Sequence, residues 1–397
     1  MPITINPAVD TTASPPIDEA MGWVKDVPEP SNHPLLNLAQ AVPNYDPASE
    51  LLEYLGQAAA DPATAFYTDI FGLPTLRRAL AGSLTAEYSA EISPGEVAIT
   101  TGCNHAFCVA TAAVAGSGDE IILPEPFYFN HDMWFDMQGI KKVLLPCRSQ
   151  DEGMVPDVSE AEALITPRTR AIVLVTPNNP TGTIYSEERL LAFYHLAERH
   201  DLALIVDETY RDFRPDNGKQ REPHLLFQQP GWRDVLVQLY SFSKSYSLTG
   251  YRVGSIVAGE RVMAAMGKIL DTITICPPHI GQLAALYGLQ HLGEWRDQQC
   301  ARVITLGRDL ERAFENHPSN FELISHGAFF AYLRHPFKGR SSVDIAKKLA
   351  TEHGLLVLPG EFFGASQTDY LRIAFANANA AELEDMAKRL VAAEGLF

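Results

Sequence analysis

The sequence predicts an α/β protein: a large domain with a mostly parallel sheet flanked by helices, and a smaller α+β domain behind it. Three observations point there. Short apolar runs rich in β-branched residues recur along the chain with helical patterns between them. Two of these runs, 171–175 and 202–206, are apolar without alternation, as strands buried on both faces of a parallel sheet are. Glycine, proline and polar residues gather directly after such runs, at the carboxyl ends where open α/β sheets place their ligand sites.

Taken in order, residues 1–46 are rich in proline and polar residues and read as an extended arm with one amphipathic piece near 17–25. Strands are expected at 97–100, 120–123, 142–145, 171–175, 202–206, 235–239 and 252–258, with helices between most of them, including 187–200 and 261–272. Near His279 a long helical region begins and passes through Gly293 and Glu294 to about Asn316. The pattern then turns α+β: strands at 321–324 and 328–333, a helix at 343–353, a strand at 354–358, another around Arg372, and a terminal helix at 380–393. The expected organisation is therefore an arm (1–46), a large domain (47–285) and a small domain (286–397).

With 397 residues the chain can bury a sizeable core in two lobes. A net charge of −18 argues against nucleic acid and anionic membrane surfaces as partners. Five cysteines, odd in number and without a Cys-x-x-Cys motif, suit reduced thiols in a cytoplasm. Met1 to Asp10 shows no basic-then-apolar leader pattern, and no apolar run approaches membrane-spanning length. Cys103, His105 and Cys108 lie too close together to match structural zinc spacings, so no metal is expected.

The chemistry gathers at Lys244. It lies in the run Ser241-Phe242-Ser243-Lys244 after an apolar strand, with Arg252 eight residues on. That grouping suits a cofactor carrying an aldehyde and a phosphate: the amine forms a Schiff base, while the serines and the guanidinium hold the dianion. In Thr176-Pro177-Asn178-Asn179-Pro180-Thr181-Gly182, proline and glycine force a tight turn at a strand's end and present an amide. Asp207 ends the next buried run, three residues before Tyr210. A carboxylate there can keep a pyridine nitrogen protonated, and Glu208 beside it reads as a solvated neighbour. Near the C-terminus, Arg372 sits inside an apolar strand pattern where it requires a partner, and its planar fork suits a carboxylate.

Asn179, Asp207, Tyr210 and Lys244, in this order and at this spacing, resemble the pyridoxal-phosphate aminotransferases of the aspartate aminotransferase family (class I/II, fold type I). The resemblance runs from about Leu38 to the C-terminus. It implies that Asn179 bonds the cofactor's phenolic oxygen and a substrate carboxylate, that Asp207 partners the pyridinium, and that Tyr210 bonds the ring oxygen. Gly102, Cys103 and Asn104 resemble the phosphate-binding turn at a helix N-terminus, although a cysteine departs from the alanine or serine more usual there. The resemblance makes Tyr128 the ring expected to stack on the cofactor, with Phe127 as the alternative. Arg372 resembles the substrate α-carboxylate anchor. The segment 37–47 resembles the one that covers bound substrate, with Ala41 where relatives commonly have glycine. Tyr67 resembles the tyrosine that reaches the phosphate of a neighbouring subunit, which implies a homodimer with shared active sites.

The activity so implied is transfer of an amino group between an L-amino acid and a 2-oxo acid, with Lys244 moving the proton between the α-carbon and C4′ of the cofactor. The same residues could serve a carbon–sulfur β-lyase, since the fold fixes the cofactor rather than the bond broken. A cofactor-binding regulator would need a DNA-binding domain, and the short acidic N-terminus offers none. A nicotinamide dehydrogenase is weaker still, because Gly116-Ser117-Gly118-Asp119 precedes a strand where its glycine fingerprint would follow one.

Overall fold

Strands form where the apolar runs are. In the computed structural model, which describes residues 3–25, 34–150, 152–215 and 222–396, eight strands build the large sheet. They are β1 (Val97–Thr100), β2 (Glu120–Glu125), β3 (Lys141–Gln150), β4 (Gly153–Pro156), β5 (Thr169–Val175), β6 (Ala203–Asp207), β7 (Leu236–Ser241) and β8 (Gly254–Ala258). Their order across the sheet is β1-β8-β7-β6-β5-β2-β3-β4. Neighbours run parallel except β8, antiparallel to both β1 and β7, and the edge strand β4, antiparallel to β3.

Successive residues of a strand point to opposite faces, and both faces here are covered. Ile172, Leu174, Leu204 and Val206 enter one core with Leu76, Leu80 and Phe193 from the helices Pro74–Tyr88 and Glu187–Arg199. Ala171, Val173, Ile205 and Leu239 enter the other, with Ala106 and Val109 of the helix Cys103–Val114 and Met263 and Met266 of the helix Glu260–Thr274. The lack of alternation in these runs is thus the signature of a sheet with two dry faces.

A second, antiparallel sheet follows: β9 (Glu322–Gly327), β10 (Phe330–Arg334), β11 (Leu358–Pro359) and β12 (Tyr370–Ile373), in the order β9-β10-β12-β11. Leu333, Leu371 and Ile373 pack there against Leu306 and Leu310 of the helix Gly293–Asn316, Ile345 and Leu349 of the helix Ser342–His353, and Met386 and Leu390 of the terminal helix Ala380–Ala392. The N-terminal chain joins this part, since Leu36–Asn37 pairs in parallel with Leu355–Leu356.

Several expectations need correction. The long helical region is two helices, His279–His291 and Gly293–Asn316, separated at Leu292. Val235 closes a short helix, Trp232–Val235, instead of opening β7. β4, four residues long, was not expected. The strand at 354–358 is two short pieces with different partners. Arg252 precedes β8 with a left-handed φ of 51°. Positions 1–2 and 26–33 of the expected arm lie outside the described residues; the described part holds two short helices, Pro7–Asp10 and Pro16–Gly22. No helix among the described residues is long and apolar enough to cross a membrane.

The two sheets meet at one close backbone contact. Gly182 has φ +72°, and a Cβ there would stand 2.3 Å from the Gly327 nitrogen and 2.5 Å from the Phe330 carbonyl oxygen. Gly182→Ala is therefore expected to lower stability by about 1–3 kcal/mol through backbone strain alone, and by more through the clash. Urea unfolding measures it, and an unchanged midpoint would show that the contact yields freely.

Candidate active site

The antiparallel setting of β8 fixes the site's layout. Gly254 pairs with both Thr100 of β1 and Ser241 of β7, so the chain entering β8 stands at the edge where β1, β5, β6 and β7 end. Arg252 thereby joins Asn179, Asp207 and Lys244 at one edge, around a cavity of about 440 Å³, with Gly102 directly behind its guanidinium.

Lys244 lies in the short helix Phe242–Ser245, whose start is capped by Ser241 Oγ accepting from the Ser243 N–H at 3.2 Å. The Lys244 amine donates to the Ala41 carbonyl at 2.5 Å, and the Tyr45 hydroxyl donates to the Lys244 carbonyl at 2.8 Å. Desolvation, reinforced by the like charges of Arg372 and Arg252, pushes the amine's pKa down to about 8.

Asp207 is 5% exposed at the last position of β6. Its Oδ1 accepts from the Thr209 N–H at 2.9 Å and faces the Cys103 thiol at 3.5 Å, while its Oδ2 lies 3.5 Å from His131 Nε2. Burial pushes the Asp207 pKa up, but His131 and Thr209 together outweigh it and hold the carboxyl below its usual range. The His131 ring is itself fixed by stacking on Phe107, with centroids 3.6 Å apart. Sequence reasoning missed His131; its place near Tyr128, one helical turn into Phe129–Gln138, was the available signal. Glu208 is not the solvated neighbour expected. It is buried beneath the site, accepting from the Tyr88 hydroxyl at 2.6 Å and the Gln238 amide at 2.9 Å, with His224 Nε2 at 3.3 Å.

In the turn after β5, the Asn178 side chain accepts from the Thr181 N–H and hydroxyl at 3.1 and 2.9 Å, and this holds Asn179 toward the cavity. Asn179 Oδ1 in turn accepts from Arg372 Nη1 at 3.2 Å. Arg372, in β12, stands behind Asn179 and the strap carrying Ala39, whose carbonyl accepts from Nη2; its Nε is buried without a partner. Phe330 and Phe363 flank the guanidinium, and desolvation lowers its pKa to about 10.

Gly102 precedes the helix Cys103–Val114 with φ +81°, and a Cβ there would stand 2.3 Å from Arg252 Nη2. The guanidinium thus lies against the open start of that helix, where N–H groups and the helix dipole favour an anion. Ser241, Ser243, Cys103 and Asn104 complete this wall. Tyr128 and Tyr210 line the cavity, whereas Phe127 packs into the core under the sheet. Gln40, Ala41 and Val42 close the mouth, and Val175, Thr209, Thr249 and Gly250 are wall residues the sequence did not single out. Tyr67 is 79% exposed and outside this cavity.

The donor set fits a phosphorylated aldehyde. A cationic cradle at a helix start suits the phosphate, a desolvated amine suits the carbonyl carbon, and a buried charged carboxylate stands opposite for a basic ring nitrogen. Comparison with known proteins agrees. A family model described as aminotransferase class I and II matches residues 33–390. The aromatic aminotransferase ISS1 of Arabidopsis thaliana is 29% identical over 361 residues, covering 89% of this chain and 88% of its own length. The putative aminotransferase YugH of Bacillus subtilis (strain 168) is 31% identical over 316 residues, 79% of this chain and 80% of its own. A solved aspartate aminotransferase from Thermus thermophilus, with maleate, superposes with a TM-score of 0.87 over 98% of this chain and 99% of its own, a likeness of fold at 24% identity. Because the family match runs through most of the chain, the protein belongs to the class I and II aminotransferases, transaminases that work with pyridoxal 5′-phosphate on the fold type I scaffold.

Proposed function

We propose that Lys244 carries the proton transfers of transamination at this edge, and that Arg372 and Asn179 hold the α-carboxylate of an L-amino acid or a 2-oxo acid. The observation that carries the reading is the Lys244 amine, desolvated to a pKa of about 8 inside a cavity that also holds Asp207 and Asn179. Pyridoxal phosphate, when bound, supplies an aldehyde that condenses with amines and a ring that withdraws electrons from the neighbouring carbon. Lys244 Nζ would take a proton from the α-carbon and return it to the cofactor's aldehyde carbon, on the other side of the shared nitrogen. Asp207, kept charged by His131 and Thr209, holds a proton at the ring nitrogen. Tyr210 and Asn179 bond the ring oxygen, and Tyr128 covers the ring's face. The N–H groups of Cys103 and Asn104, with Gly102 leaving room, join Ser241, Ser243 and Arg252 in holding the phosphate. Ala41 borders the substrate at the mouth. Relatives named as aromatic and aspartate aminotransferases make aromatic and acidic L-amino acids the first donors to test.

The active unit in this reading is a homodimer. Phe66 and Tyr67 are 73% and 79% exposed, and Ile273 and Ile275 are exposed nearby, where the Thr68 N–H meets the Cys276 thiol at 3.4 Å. An apolar face of this kind suits a second copy, with Tyr67 reaching the partner's phosphate. The five free thiols suit a reducing cytoplasm. The arm to residue 46, the large domain to 285 and the small domain beyond it remain the organisation we infer.

Lys244→Ala should bind the cofactor and lose about 10²–10⁴-fold in half-reaction rate with an amino donor. Stopped-flow absorbance checks this, and near-normal turnover would remove Lys244 from the mechanism. A pH dependence follows with a definite sign. Because the folded pKa lies below the ordinary 10.5, the fold disfavours the charged amine; that penalty is full below about 8 and fades as pH rises toward 10.5. The cofactor-free protein should therefore take up pyridoxal phosphate about tenfold faster per pH unit up to about 8, then level off. A rise continuing unbroken to high pH would mean an unshifted amine. For assembly, Tyr67→Ala and Lys244→Ala subunits, each poorly active, are unfolded together and reassembled. A hybrid holds one doubly damaged and one intact site, so activity should exceed that of either parent; confirmed hybrids without recovery would place Tyr67 outside any shared site.

A further inference from the structure

The strap across the mouth is held from outside by one side chain. Asn377 Oδ1 accepts from the Val42 N–H at 3.0 Å, while its Nδ2 donates to the carbonyls of Asn37, at 3.3 Å, and Gln40. A primary amide has the donor and acceptor of a peptide group, so Asn377 pairs with the strap much as a neighbouring strand would. The chain turns alternate groups to opposite sides. From Ala39 on, Gln40 and Val42 face Asn377 while the carbonyls of Ala39 and Ala41 face inward, to Arg372 and Lys244; the Asn37 carbonyl, before the bend at Ala39 and Gln40, also faces Asn377. A slip of one residue would reverse that alternation. Asn377 ends the short 3₁₀ turn Phe375–Asn377 that directly follows β12, so two successive elements carry the cation and the clamp that sets the strap against it.

We propose that Asn377 is a positioning residue for substrate binding: it fixes the register of residues 37–42 so that the strap is ordered over the cavity before the amino acid arrives. Without it, the substrate must order the strap itself, and affinity falls by the cost of that ordering. The Lys244 loop is held independently, by Tyr45 and by the Ser241 cap, so the chemical step is spared. The inference rests on the carboxylate and proton-transfer roles proposed for Arg372 and Lys244.

The test uses the full-length holoenzyme. Asn377→Ala should raise KM for an amino donor roughly tenfold, as loss of one or two net hydrogen bonds implies, with kcat of the half-reaction within about twofold. Maleate and 3-phenylpropionate, carboxylates without an amine, should bind more weakly by a similar factor in absorbance titrations. Amide exchange in residues 38–42 should quicken. Asn377→Asp keeps the volume and the Val42 bond but turns a carboxylate toward two carbonyls; its KM should rise at least as far, and it carries the test if the alanine variant does not fold. Unchanged KM and carboxylate affinity in the aspartate variant, or a fall in kcat with KM unchanged, overturns the proposal. Arg372→Lys separates this from the underlying reading, since an ammonium cannot reproduce the fork. If carboxylate affinity survives that change, the Arg372 anchor fails; if it falls there but not in the Asn377 variants, only the clamp fails.

Discussion

Three cations, Lys244, Arg252 and Arg372, converge on one enclosed edge of the large sheet, and much of the surrounding structure exists to tolerate that. Desolvation pushes the Lys244 and Arg372 pKa values down to about 8 and about 10, and for Lys244 the like charges of the two arginines add to it. Among the described residues, neither forms an ion pair with a carboxylate. Backbone carbonyls of Ala39 and Ala41 and the amide of Asn179 accept their protons instead. Neutral acceptors satisfy the donors without cancelling the charge, so the attraction for an incoming phosphate and carboxylate is preserved.

Acidic groups are present at the same edge, but each is engaged by partners of its own. Asp207 and Glu208 are consecutive and both buried, and alternation sends them to different surroundings. Each meets a histidine: His131 for Asp207, His224 for Glu208. In both, burial pushes the pKa up and the hydrogen-bonding partners outweigh it, for Glu208 down to about 2. One carboxylate faces the cavity and is available to a ring nitrogen. The other is consumed by Tyr88, Gln238 and His224 and ties β6 and β7 to the helix Pro74–Tyr88.

That difference marks how far the sequence was legible. Lys244, Asn179 and Asp207 could be read because each follows a continuous apolar run, and a strand's carboxyl end is a local property. The strands of the large sheet could be read for the same reason. Glu208 could not, since its partners Tyr88, His224 and Gln238 come from three distant segments and no local pattern distinguishes it from a solvated glutamate. His131 and Asn377 escaped likewise: one matters through a carboxylate 76 positions on, the other through strap backbone more than 300 positions earlier. β4 and the break at Leu292 were missed because short elements carry too few residues for a period to show.

The strap shows how local and distant constraints combine. Its sequence, Asn37-Leu38-Ala39-Gln40-Ala41-Val42-Pro43, has little propensity for any regular element, and among the described residues no strand pairs with it beyond Asn37. Order is imposed from both ends and the middle: Leu36–Asn37 pairs with Leu355–Leu356, Leu38 accepts from the Ala374 N–H at 2.8 Å, and Tyr45 is pinned by Lys244 and Ser247. Leu38 and Ala39 are anchored in apolar cores, but from Gln40 to Val42 the strap is held by single hydrogen bonds of modest net strength, so the stretch nearest the mouth can be well placed yet cheap to open. A mouth that must admit one amino acid and release a 2-oxo acid in every cycle needs that combination, and a fully paired strand at the same place would not supply it.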